Sequence, residues 1–568
     1  MAGEKSQDFD YNKTINPNGK PKIAYFSMEM GIDESIPTYS GGLGILAGDT
    51  IKSCADLNVP VVGITLLSGN GYFYQKIDEY GNQIELPIQF DVSNVLKLLP
   101  TITNVRIEDR DVKIRSWYYQ VKGVGGYIVP IFFLDTNIDG NSDWDRQLTK
   151  YLYGGDEKYR LAQEIILGIG GVRMLRALGY TSIDRFHMNE GHAALSTLEL
   201  YDFYNDVEKV REQCVFTTHT PVAAGHDQFD LSFAKPMIGN ILPEFILKDV
   251  TFENKLNMTR LALFFSHYVN GVAKKHGEVS RIMFPGYSID SITNGVHSTT
   301  WVSEPFKRLF DKHMPGWRAD PYILRSAFSI SKSEIWDAHI EAKKELINFV
   351  NTNYNLDMNC NDFTIGFARR QTAYKRPELL ISEPERLKHI AKKFGNIQII
   401  YAGKAHPKDD SGKDAIKKIF CVKNTIDNNV KIAFINNYDI GIGKMMVSGV
   451  DLWLNTPRRP QEASGTSGMK AAHNGVPQFS TLDGWWLEGC IENITGWAIG
   501  PEKPKAEASD DEIDRYDLYD KLENWIMPKF YSDRDNWIRT MRSCIAINAS
   551  FFNTNRMIQQ YVLNAYFR

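Results

Sequence analysis

The chain has 568 residues, enough for about two to four domains at roughly 100–200 residues each. It carries 65 lysine and arginine residues against 69 aspartate and glutamate residues, which gives a formal net charge of −4. A charge so close to balance produces no long-range field of one sign, so we expect neither nucleic acid nor a membrane as a partner. With 43% hydrophobic and 24% charged residues, the composition is globular and excludes wholesale disorder.

The cysteines and histidines show no metal-binding spacing. The six cysteines are scattered without a CxxC pair, and His187 and His192 lack a third ligand, so no metal is predicted. The N-terminal segment is polar, and the longest apolar stretches, VPVVGITLL and YIVPIFFL, are too short to cross a bilayer. These features predict a cytoplasmic protein with reduced thiols.

The first half of the chain alternates short β-branched runs with segments of helical period, which is the pattern of a parallel α/β sheet. The strand-like runs are PKIAYFSME, VPVVGITLL, GGYIVPIFFLD and QCVFTTHT. The helical segments are ILAGDTIKSCADLN, DEKYRLAQEIILGIGGVRMLRALG and RFHMNEGHAALSTLELYDFYNDVEKV. We therefore expect one complete α/β unit in this half.

A second α/β unit begins after SIDSITNGVHSTTW with the amphipathic segment KSEIWDAHIEAKKELINFVNTNYN. Its strand-like runs are DFTIGFARR, IQIIYAGK, VKIAFINNY, DLWLNTP and VPQFSTLDG. The segment from Asp510 onward predicts three helices that pack back across both units. The predicted organisation is two α/β domains, over residues 1–305 and 306–510, and a helical tail over residues 511–568.

Loops at the carboxyl ends of parallel strands are the candidate binding sites, because ligands of open parallel sheets bind there. The glycine loop Ser40–Gly44 precedes a helical pattern that begins near Ile45. Its free backbone N–H groups suit a phosphate, although, from this loop alone, a tight turn that requires left-handed glycine is the more ordinary interpretation.

Two further segments carry charge at such positions. Four cations follow the run DFTIGFA and either clamp phosphate oxygens or form a solvated helix start: Arg369, Arg370, Lys375 and Arg376. The segment EASGTSGMK, from Glu462 to Lys470, offers hydroxyl and N–H donors for a phosphate and one lysine able to form a Schiff base with an aldehyde cofactor. A plain helix start with a surface lysine is the alternative.

Histidines occur in two segments that follow apolar runs, HMNEGH and TTHT. His219, flanked by threonines, can donate to a ligand hydroxyl. A hydrogen-bonded structural histidine is the more ordinary interpretation of such a residue.

Taken together, these segments resemble the α-glucan phosphorylases, the glycogen, starch and maltodextrin phosphorylase family, in its short bacterial and archaeal form. The resemblance covers about residues 22–490 and is carried by YFSMEMGIDESIPTYSGGLGILAGD, FHMNEGHAA, TTHTPVAAGHDQF, ITNGVHSTTW, RRQTAYKRPELL, EASGTSGMKAAHNG and STLDGWW. Several motifs in one order seldom arise by chance.

The resemblance implies two Rossmann-like domains facing across a deep cleft, the GT-B glycosyltransferase architecture, and pyridoxal 5′-phosphate bound covalently to Lys470. The implied cofactor contacts are Thr466, Ser467, Arg369, Tyr438 and Gly42. The residues implied to bind the substrate phosphate are Arg370 and Lys375, with the backbone of Gly41 and Gly42. Those implied to hydrogen-bond the glucosyl hydroxyls are His219, Asn294, Glu462, Ser464 and Gly465. Those implied to border the acceptor side of the cleft are Asn189, Glu190 and His192. The implied catalytic set is Lys470, Arg370, Lys375 and His219.

The implied reaction is the reversible phosphorolysis of the terminal α-1,4-linked glucose of a glucan or maltodextrin. Inorganic phosphate is consumed, and glucose 1-phosphate is formed with retention. The protein's implied part is a cationic, preorganised pocket that lets the substrate and cofactor phosphates lie close together. Thr372 and Ala373 stand where long phosphorylases have histidine and glutamate, and Ile45 replaces an arginine. Only a short polar segment precedes Pro21, so we do not expect the activity to be controlled by nucleotides or by phosphorylation. The resemblance also implies a homodimer, which is usual in the family.

Two other functions remain open from the residues. A nucleotide-sugar glucan synthase shares the two-domain plan, but such synthases have a lysine where Ser40 stands and do not need EASGTSGMK. A non-catalytic glucan-binding protein is compatible with the 12% aromatic content, since aromatic rings stack on sugars. It would not require the cationic cluster or Lys470.

Overall fold

The computed structural model describes residues 15–88, 90–426, 429–501 and 511–567. Its strands are β1 (Ile23–Phe26), β2 (Val61–Leu66), β3 (Tyr74–Ile77), β4 (Gln83–Leu86), β5 (Lys97–Ile107), β6 (Arg110–Lys122), β7 (Ile128–Asp135), β8 (Arg185–Asn189), β9 (Cys214–Thr217), β10 (Gln228–Asp230), β11 (Thr251–Phe252), β12 (Lys255–Asn257), β13 (Tyr268–Gly271), β14 (Asp290–Ser291), β15 (Phe363–Ala368), β16 (Ile397–Ala402), β17 (Val430–Ile435), β18 (Leu452–Asn455), β19 (Gln478–Thr481) and β20 (Gly496–Ile499).

The α-helices are α1 (Gly42–Asp56), α2 (Asp143–Gln147), α3 (Glu157–Ile165), α4 (Gly171–Ala177), α5 (Ser196–Tyr204), α6 (Val207–Gln213), α7 (Leu231–Ile238), α8 (Leu247–Val250), α9 (Met258–Phe264), α10 (Lys274–Met283), α11 (Ser298–Trp301), α12 (Glu304–His313), α13 (Lys332–Tyr354), α14 (Pro384–Phe394), α15 (Asp410–Lys423), α16 (Ile440–Gly449), α17 (Ser467–Ala472), α18 (Trp486–Gly489), α19 (Asp511–Lys521), α20 (Met527–Ser532), α21 (Arg534–Ser543) and α22 (Thr554–Tyr561). Wider π-helical turns cover Ile166–Gly170, Leu522–Ile526, Cys544–Ala549 and Val562–Tyr566. Tighter 3₁₀ turns cover Val92–Asn94, Gly191–Ala193, Ala223–Gly225, Gly239–Ile241, Glu244–Ile246, Pro321–Ser329, Ala373–Lys375 and Leu379–Ile381.

The first sheet runs in the order β14-β13-β9-β8-β1-β2-β7-β6-β5. Strands β14 to β7 pair in parallel, as predicted. The far side of the sheet was not predicted: β6 pairs antiparallel with both β7 and β5, so the sheet is mixed at this edge. These two long strands alternate buried and exposed residues, which is typical of an antiparallel pair with one solvated face.

Strand β8 corrects a second expectation. The run RFHMN was predicted as helix, but it is a strand between β1 and β9 in the middle of the first sheet. Four of its five positions are buried, and a short, continuously buried run has no period that distinguishes strand from helix. Its position places the following residue, Glu190, at the carboxyl edge of the sheet.

The second sheet has the order β17-β16-β15-β18-β19-β20 and is parallel throughout. The five strand-like runs of the second half form β15 to β19, and β20 is an addition. Helix α13 leads into this sheet and begins with a serine N-cap, because Ser331 Oγ accepts the Glu334 backbone N–H at 3.2 Å. The mixed α/β class with two main sheets is confirmed; the predicted domain boundaries stay predictions.

The C-terminal region is helical, as predicted, in three continuous stretches over 511–532, 534–549 and 554–566. Asp510, where the sequence placed its start, lies outside the described residues. The first two stretches pack on the second sheet through residues such as Phe530 and Trp537. The third stretch packs on the first sheet through Ile558 and Tyr561. No helix in the part of the chain that the structure describes is long and apolar enough to cross a membrane.

The chain passes from the second sheet to the first at a close backbone crossing. Asn553 bridges to Val296, and a Cβ added at Gly295 would lie 2.2 Å from the Asn553 carbonyl carbon. That distance is too short for any side chain at position 295, because the atoms it would meet are backbone atoms of Asn553 and cannot rotate away.

We predict that Gly295→Ala destabilises the protein by about 1–3 kcal/mol, the usual cost of overpacking. Thermal and chemical denaturation measure the effect. The matched control is Gly125→Ala, since an added Cβ at that position meets nothing within 4 Å. Equal stability of the two variants would contradict the close crossing.

Candidate active site

A cavity of about 1300 Å³ lies where the carboxyl ends of both sheets meet. It is bordered by the start of α1, the loops after β8 and β9, the loop after β15, and the start of α17. Of the residues that the sequence nominated, these line it: Gly41, Gly42, Glu190, His192, His219, Asn294, Arg369, Arg370, Lys375, Tyr438, Glu462, Ser464, Gly465, Thr466, Ser467 and Lys470. Asn189 lies one layer behind, and Arg376, the fourth cation predicted as a phosphate clamp, pairs instead with Asp511 and Asp514 outside the cavity.

Glu462 joins two cations at the centre of the second-sheet side. Its Oε2 accepts from Arg369 Nη2 at 2.5 Å and from Lys375 Nζ. The three side chains are 11%, 7% and 9% exposed. Burial, with repulsion from Arg369, lowers the pKa of Lys375 to about 7. Burial alone would raise the pKa of Glu462, but Arg369 and Lys375 lower it to about 2, so the carboxylate is ionised and compensates the two cations.

Arg370 reaches the glycine loop across the cavity. Its Nη2 lies 3.3 Å from Ser40 Oγ, and a Cβ added at Gly41 would lie 3.1 Å from the same nitrogen. The loop already has one internal anion, since Glu29 Oε2 accepts the backbone N–H groups of Ser40 at 2.5 Å and Gly41 at 3.3 Å. Of the four cations that follow β15, Arg370 is the one without an ion pair to a described carboxylate. Its guanidinium is therefore available to an anion in the cavity.

Lys470 projects from α17 into the other end of the cavity. It is 6% exposed, and its Nζ lies 3.7 Å from the centroid of the Trp301 ring. Burial lowers the pKa of Lys470 to about 8, which raises the fraction of the nucleophilic free amine at neutral pH. Ser467 Oγ, one turn earlier, accepts from Trp453 Nε1 at 3.0 Å, so its hydroxyl hydrogen is available to a ligand.

Five buried polar atoms of cavity-lining residues have no hydrogen-bond partner among the described residues: Arg369 Nη1, Ser464 Oγ, Asn294 Oδ1, His192 Nδ1 and His226 Nε2. A buried polar group without a partner costs free energy, and native proteins retain few of them. So many open donors and acceptors around one polar cavity therefore indicate a polar ligand. Asn294 is held through its backbone, whose carbonyl accepts from Arg556 Nη2 at 2.9 Å.

On the first-sheet side, His219 is fixed by residues from β8. Its Nε2 lies 2.7 Å from Asn189 Oδ1, and Asn189 Nδ2 donates to Ser27 Oγ at 3.1 Å. With that amide orientation, His219 donates from Nε2 and Nδ1 is left as an acceptor. Burial lowers the pKa of His219 to about 3, so the ring is neutral at physiological pH. Asn189 acts through His219 and does not itself line the cavity.

Glu190 has strained backbone, with φ of 78° in the left-handed half of φ space. Its carboxylate accepts the backbone N–H of Gly191 at 3.0 Å, that of His219 at 2.7 Å and the Thr220 hydroxyl at 2.9 Å. These three bonds compensate the strain and tie the loop after β8 to the loop after β9. The His219 backbone N–H is therefore already occupied.

His192 belongs to a row of charged residues on the first-sheet side of the cavity. Its Nε2 lies 3.4 Å from Asp227 Oδ2, and the same oxygen accepts from Arg160 Nη2 at 2.9 Å. Arg160 also pairs with the fully buried Glu164 at 3.2 Å. Burial lowers the pKa of His192 to about 3. The row holds a neutral imidazole at the cavity wall.

Some cavity residues were missed by the sequence reasoning although they stand inside the quoted motifs, such as Glu29 in YFSMEMG and Trp301 in ITNGVHSTTW. Asp483 in STLDGWW was missed as well; it does not line the cavity but accepts the backbone N–H of Glu462. The one visible signal was a carboxylate among apolar residues, as in SMEM. Arg160 and Tyr153 had no signal, because their contacts come from distant segments. Tyr153 donates its hydroxyl to Glu29 Oε1 at 2.9 Å, and its ring lies 4.8 Å from the Arg160 guanidinium.

Two α/β sheets that meet at one polar cavity, with a helical C-terminal region, define the GT-B fold class of glycosyltransferases. The carbohydrate phosphorylase family model matches residues 226–495. The chain is 38% identical to the maltodextrin phosphorylase of Thermococcus litoralis, over 97% of this chain and 71% of that protein. It is 34% identical to the glycogen phosphorylase of Mycobacterium tuberculosis, over 99% and 72% of the two chains, and 33% to that of Aquifex aeolicus, over 96% and 86%. The chain belongs to the carbohydrate phosphorylase family.

Asp483 gives the site a testable pH dependence. It is 4% exposed, and its two oxygens accept the backbone N–H groups of Glu462 and Gly484, each at 2.9 Å. Burial raises the pKa of Asp483 from its ordinary value of 3.8 to about 7, against the lowering effect of those hydrogen bonds. The folded state therefore holds this proton more tightly than the unfolded chain, and the stability that this provides is lost as pH rises through about 7.

We predict that Asp483→Asn removes this component of the pH dependence. Relative to the wild-type protein, the variant should be more stable at pH 8 than it is at pH 5, because the wild type alone must bury an ionised carboxylate at pH 8. Urea unfolding at the two pH values measures the difference. A difference between wild type and variant that does not change with pH would contradict the raised pKa.

Proposed function

We propose that this protein is an α-1,4-glucan phosphorylase that transfers the terminal glucose of a glucan or maltodextrin to inorganic phosphate, giving glucose 1-phosphate with retention. The observation that carries the proposal is the convergence of Arg369, Arg370 and Lys375 on one cavity, within which Lys470 is buried. The maltodextrin and glycogen phosphorylases named above support the same activity. Glycosyl transfer to phosphate needs such a cationic pocket, whereas hydrolysis needs paired carboxylates and a water.

The cations suit two phosphate groups in different ways. Lys375 and Arg369 are already paired with Glu462, so a second anion beside them shares an existing charge cluster. Arg370 has the open guanidinium, and it faces the glycine loop, whose N-terminal helix end also favours an anion. We assign Arg370 and Lys375 to the substrate phosphate and Arg369 to the cofactor side.

The residues around Lys470 fit pyridoxal 5′-phosphate. Lys470 is a buried amine with its pKa lowered to about 8, Ser467 has a hydroxyl hydrogen to donate, and Arg369 Nη1 is an open buried donor. Thr466 and Tyr438 complete the proposed contacts. When bound, the cofactor supplies a second phosphate beside the substrate phosphate for proton transfer to the departing sugar oxygen. The protein residues hold both anions and exclude water.

The glucosyl unit is assigned to the open polar atoms on both sides of the cavity. Asn294 Oδ1 accepts, Ser464 Oγ donates, and the neutral ring of His219 offers Nδ1 as an acceptor. A neutral imidazole suits a sugar hydroxyl better than an imidazolium, because it adds no charge repulsion as the glucosyl carbon becomes positive. Gly465 has φ of 83°, a conformation that brings its backbone close to Glu462 and leaves room for the sugar.

The acceptor glucan is assigned to the end of the cavity formed by the loops after β8 and β9. Glu190 and His192 stand there, with Asn189 behind His219. A nucleotide-sugar synthase remains the rival reaction on this fold. No observation favours it, and the relatives described above carry phosphorylase names.

The decisive experiment is an assay of the purified holoenzyme with maltodextrin, with and without inorganic phosphate. We expect glucose 1-phosphate to form only when phosphate is present, and α-glucose 1-phosphate to extend maltodextrin in the reverse direction. Release of free glucose without phosphate, or activity only with ADP-glucose, would refute the proposal.

We predict that Lys470→Ala loses the bound pyridoxal absorbance and at least about a thousandfold of activity together, since the covalent anchor is removed. Lys444→Ala is the matched control, because Lys444 pairs with Glu34 at the surface and does not line the cavity. Circular dichroism checks that both variants fold. A Lys470→Ala protein with full phosphorolysis would overturn the assignment.

A further inference from the structure

A buried ion cluster outside the cavity joins the C-terminal helix α19 to the second sheet. Asp514 is fully buried, and each of its carboxylate oxygens accepts from a different guanidinium. Oδ2 accepts from Arg376 Nη2 at 2.7 Å, and Oδ1 accepts from Arg459 Nη2 at 2.6 Å. The two arginine side chains are 3% and 5% exposed. One carboxylate therefore compensates two buried cations.

The two arginines stand beside the residues proposed to hold phosphate. Arg376 directly follows Lys375, and Arg459 lies in the loop that leads from β18 to Glu462. The two loops are also linked by hydrogen bonds from side chains to backbone carbonyls. Thr456 Oγ1 donates to the Lys375 carbonyl at 2.8 Å, and Arg376 Nε donates to the Thr456 carbonyl at 2.8 Å. Any shift of one guanidinium is thus transmitted to the loop that carries Lys375 or Glu462.

The backbone at Arg376 needs this anchor. Its φ is 45°, in the left-handed region that a non-glycine residue adopts at an energetic cost. That turn directs the Arg376 side chain toward α19 and the Lys375 side chain toward the cavity, where Nζ contacts Glu462. Without a buried partner for the guanidinium, the strained turn has less to hold it.

We propose that Asp514 is a positioning residue for phosphate binding, which holds the Lys375 loop and the Glu462 loop in register from the C-terminal helix. The inference rests on the proposed function for its kinetic consequence. Asp511 contributes less, because its pairs with Arg376 and Arg458 involve a carboxylate that is 45% exposed. Gly500 packs against the same cluster without a side chain, since a Cβ added there would lie 2.2 Å from Asp514 Oδ1 and 2.9 Å from Arg459 Nη1.

Asp514→Asn keeps the shape of the side chain and removes its charge. We expect the KM for inorganic phosphate to rise about tenfold while the KM for maltodextrin and the pyridoxal content stay close to wild type, because the loss falls on the phosphate loops. A purely structural role would lower the yield of active enzyme and leave both KM values unchanged, and that result would overturn the proposal.

Two controls separate position from stability. Asp517→Asn alters the same helix at a carboxylate that accepts from the Gly500 backbone and Lys521, so it should leave the KM for phosphate unchanged. Asp451→Asn removes an equally buried carboxylate that pairs with His339 and Lys343 away from the cavity. It should lower the melting temperature and leave the KM for phosphate unchanged.

Amide hydrogen exchange gives a readout that does not depend on the reaction. Asp514→Asn should speed exchange over residues 372–376 and 456–462, and Asp451→Asn should not. If Asp514→Asn does not fold, Arg459→Met tests the same link from the other side. A wild-type protein without phosphorolysis refutes the proposed function, whereas unchanged exchange in these loops refutes the role of Asp514.

Discussion

Glu462, placed between Arg369 and Lys375, is the interaction on which the rest of the site depends. A pocket that receives two phosphates needs several cations close together, and cations removed from water repel each other and lose hydration. The carboxylate compensates that cost before any ligand arrives. The contact lowers the pKa of Glu462, and it partly opposes the burial and the repulsion from Arg369 that lower the pKa of Lys375.

The same principle recurs around the cavity at increasing distance from it. Glu29 accepts the N–H groups of the glycine loop, Asp227 compensates Arg160, and Asp514 compensates Arg376 and Arg459. Asp227 and Asp514 each come from an element other than the one that carries their partners. Acidic side chains from distant segments thus neutralise the buried cations in and around the cavity, within a chain whose formal net charge is −4.

The C-terminal helices complete both halves of the site from outside. The stretch that begins with α19 contacts the loops that carry Lys375 and Glu462, because Asp514 pairs with Arg376 and Arg459. The last stretch holds β8 and β9, because the hydroxyls of Tyr566 and Tyr561 bond to His187 at 2.7 Å and to Thr217 at 3.0 Å. His187 and Thr217 each precede, by two residues, the positions of Asn189 and His219. One terminal segment therefore supports residues on opposite sides of the cavity.

The sequence by itself determined the two-sheet α/β class, most of the parallel strands and sixteen of the residues that line the cavity, because each depends on local pattern or on a contiguous motif. Only the tertiary structure decided that RFHMN is a strand, that Asn189 lies behind His219, that Glu29 lines the cavity, and that Asp483 holds the backbone of Glu462. Asp514 could not be anticipated either, since it is more than fifty residues from Arg459 and over a hundred from Arg376. Burial and charge pairing between distant segments leave no local period to find, and they are set only when the chain folds.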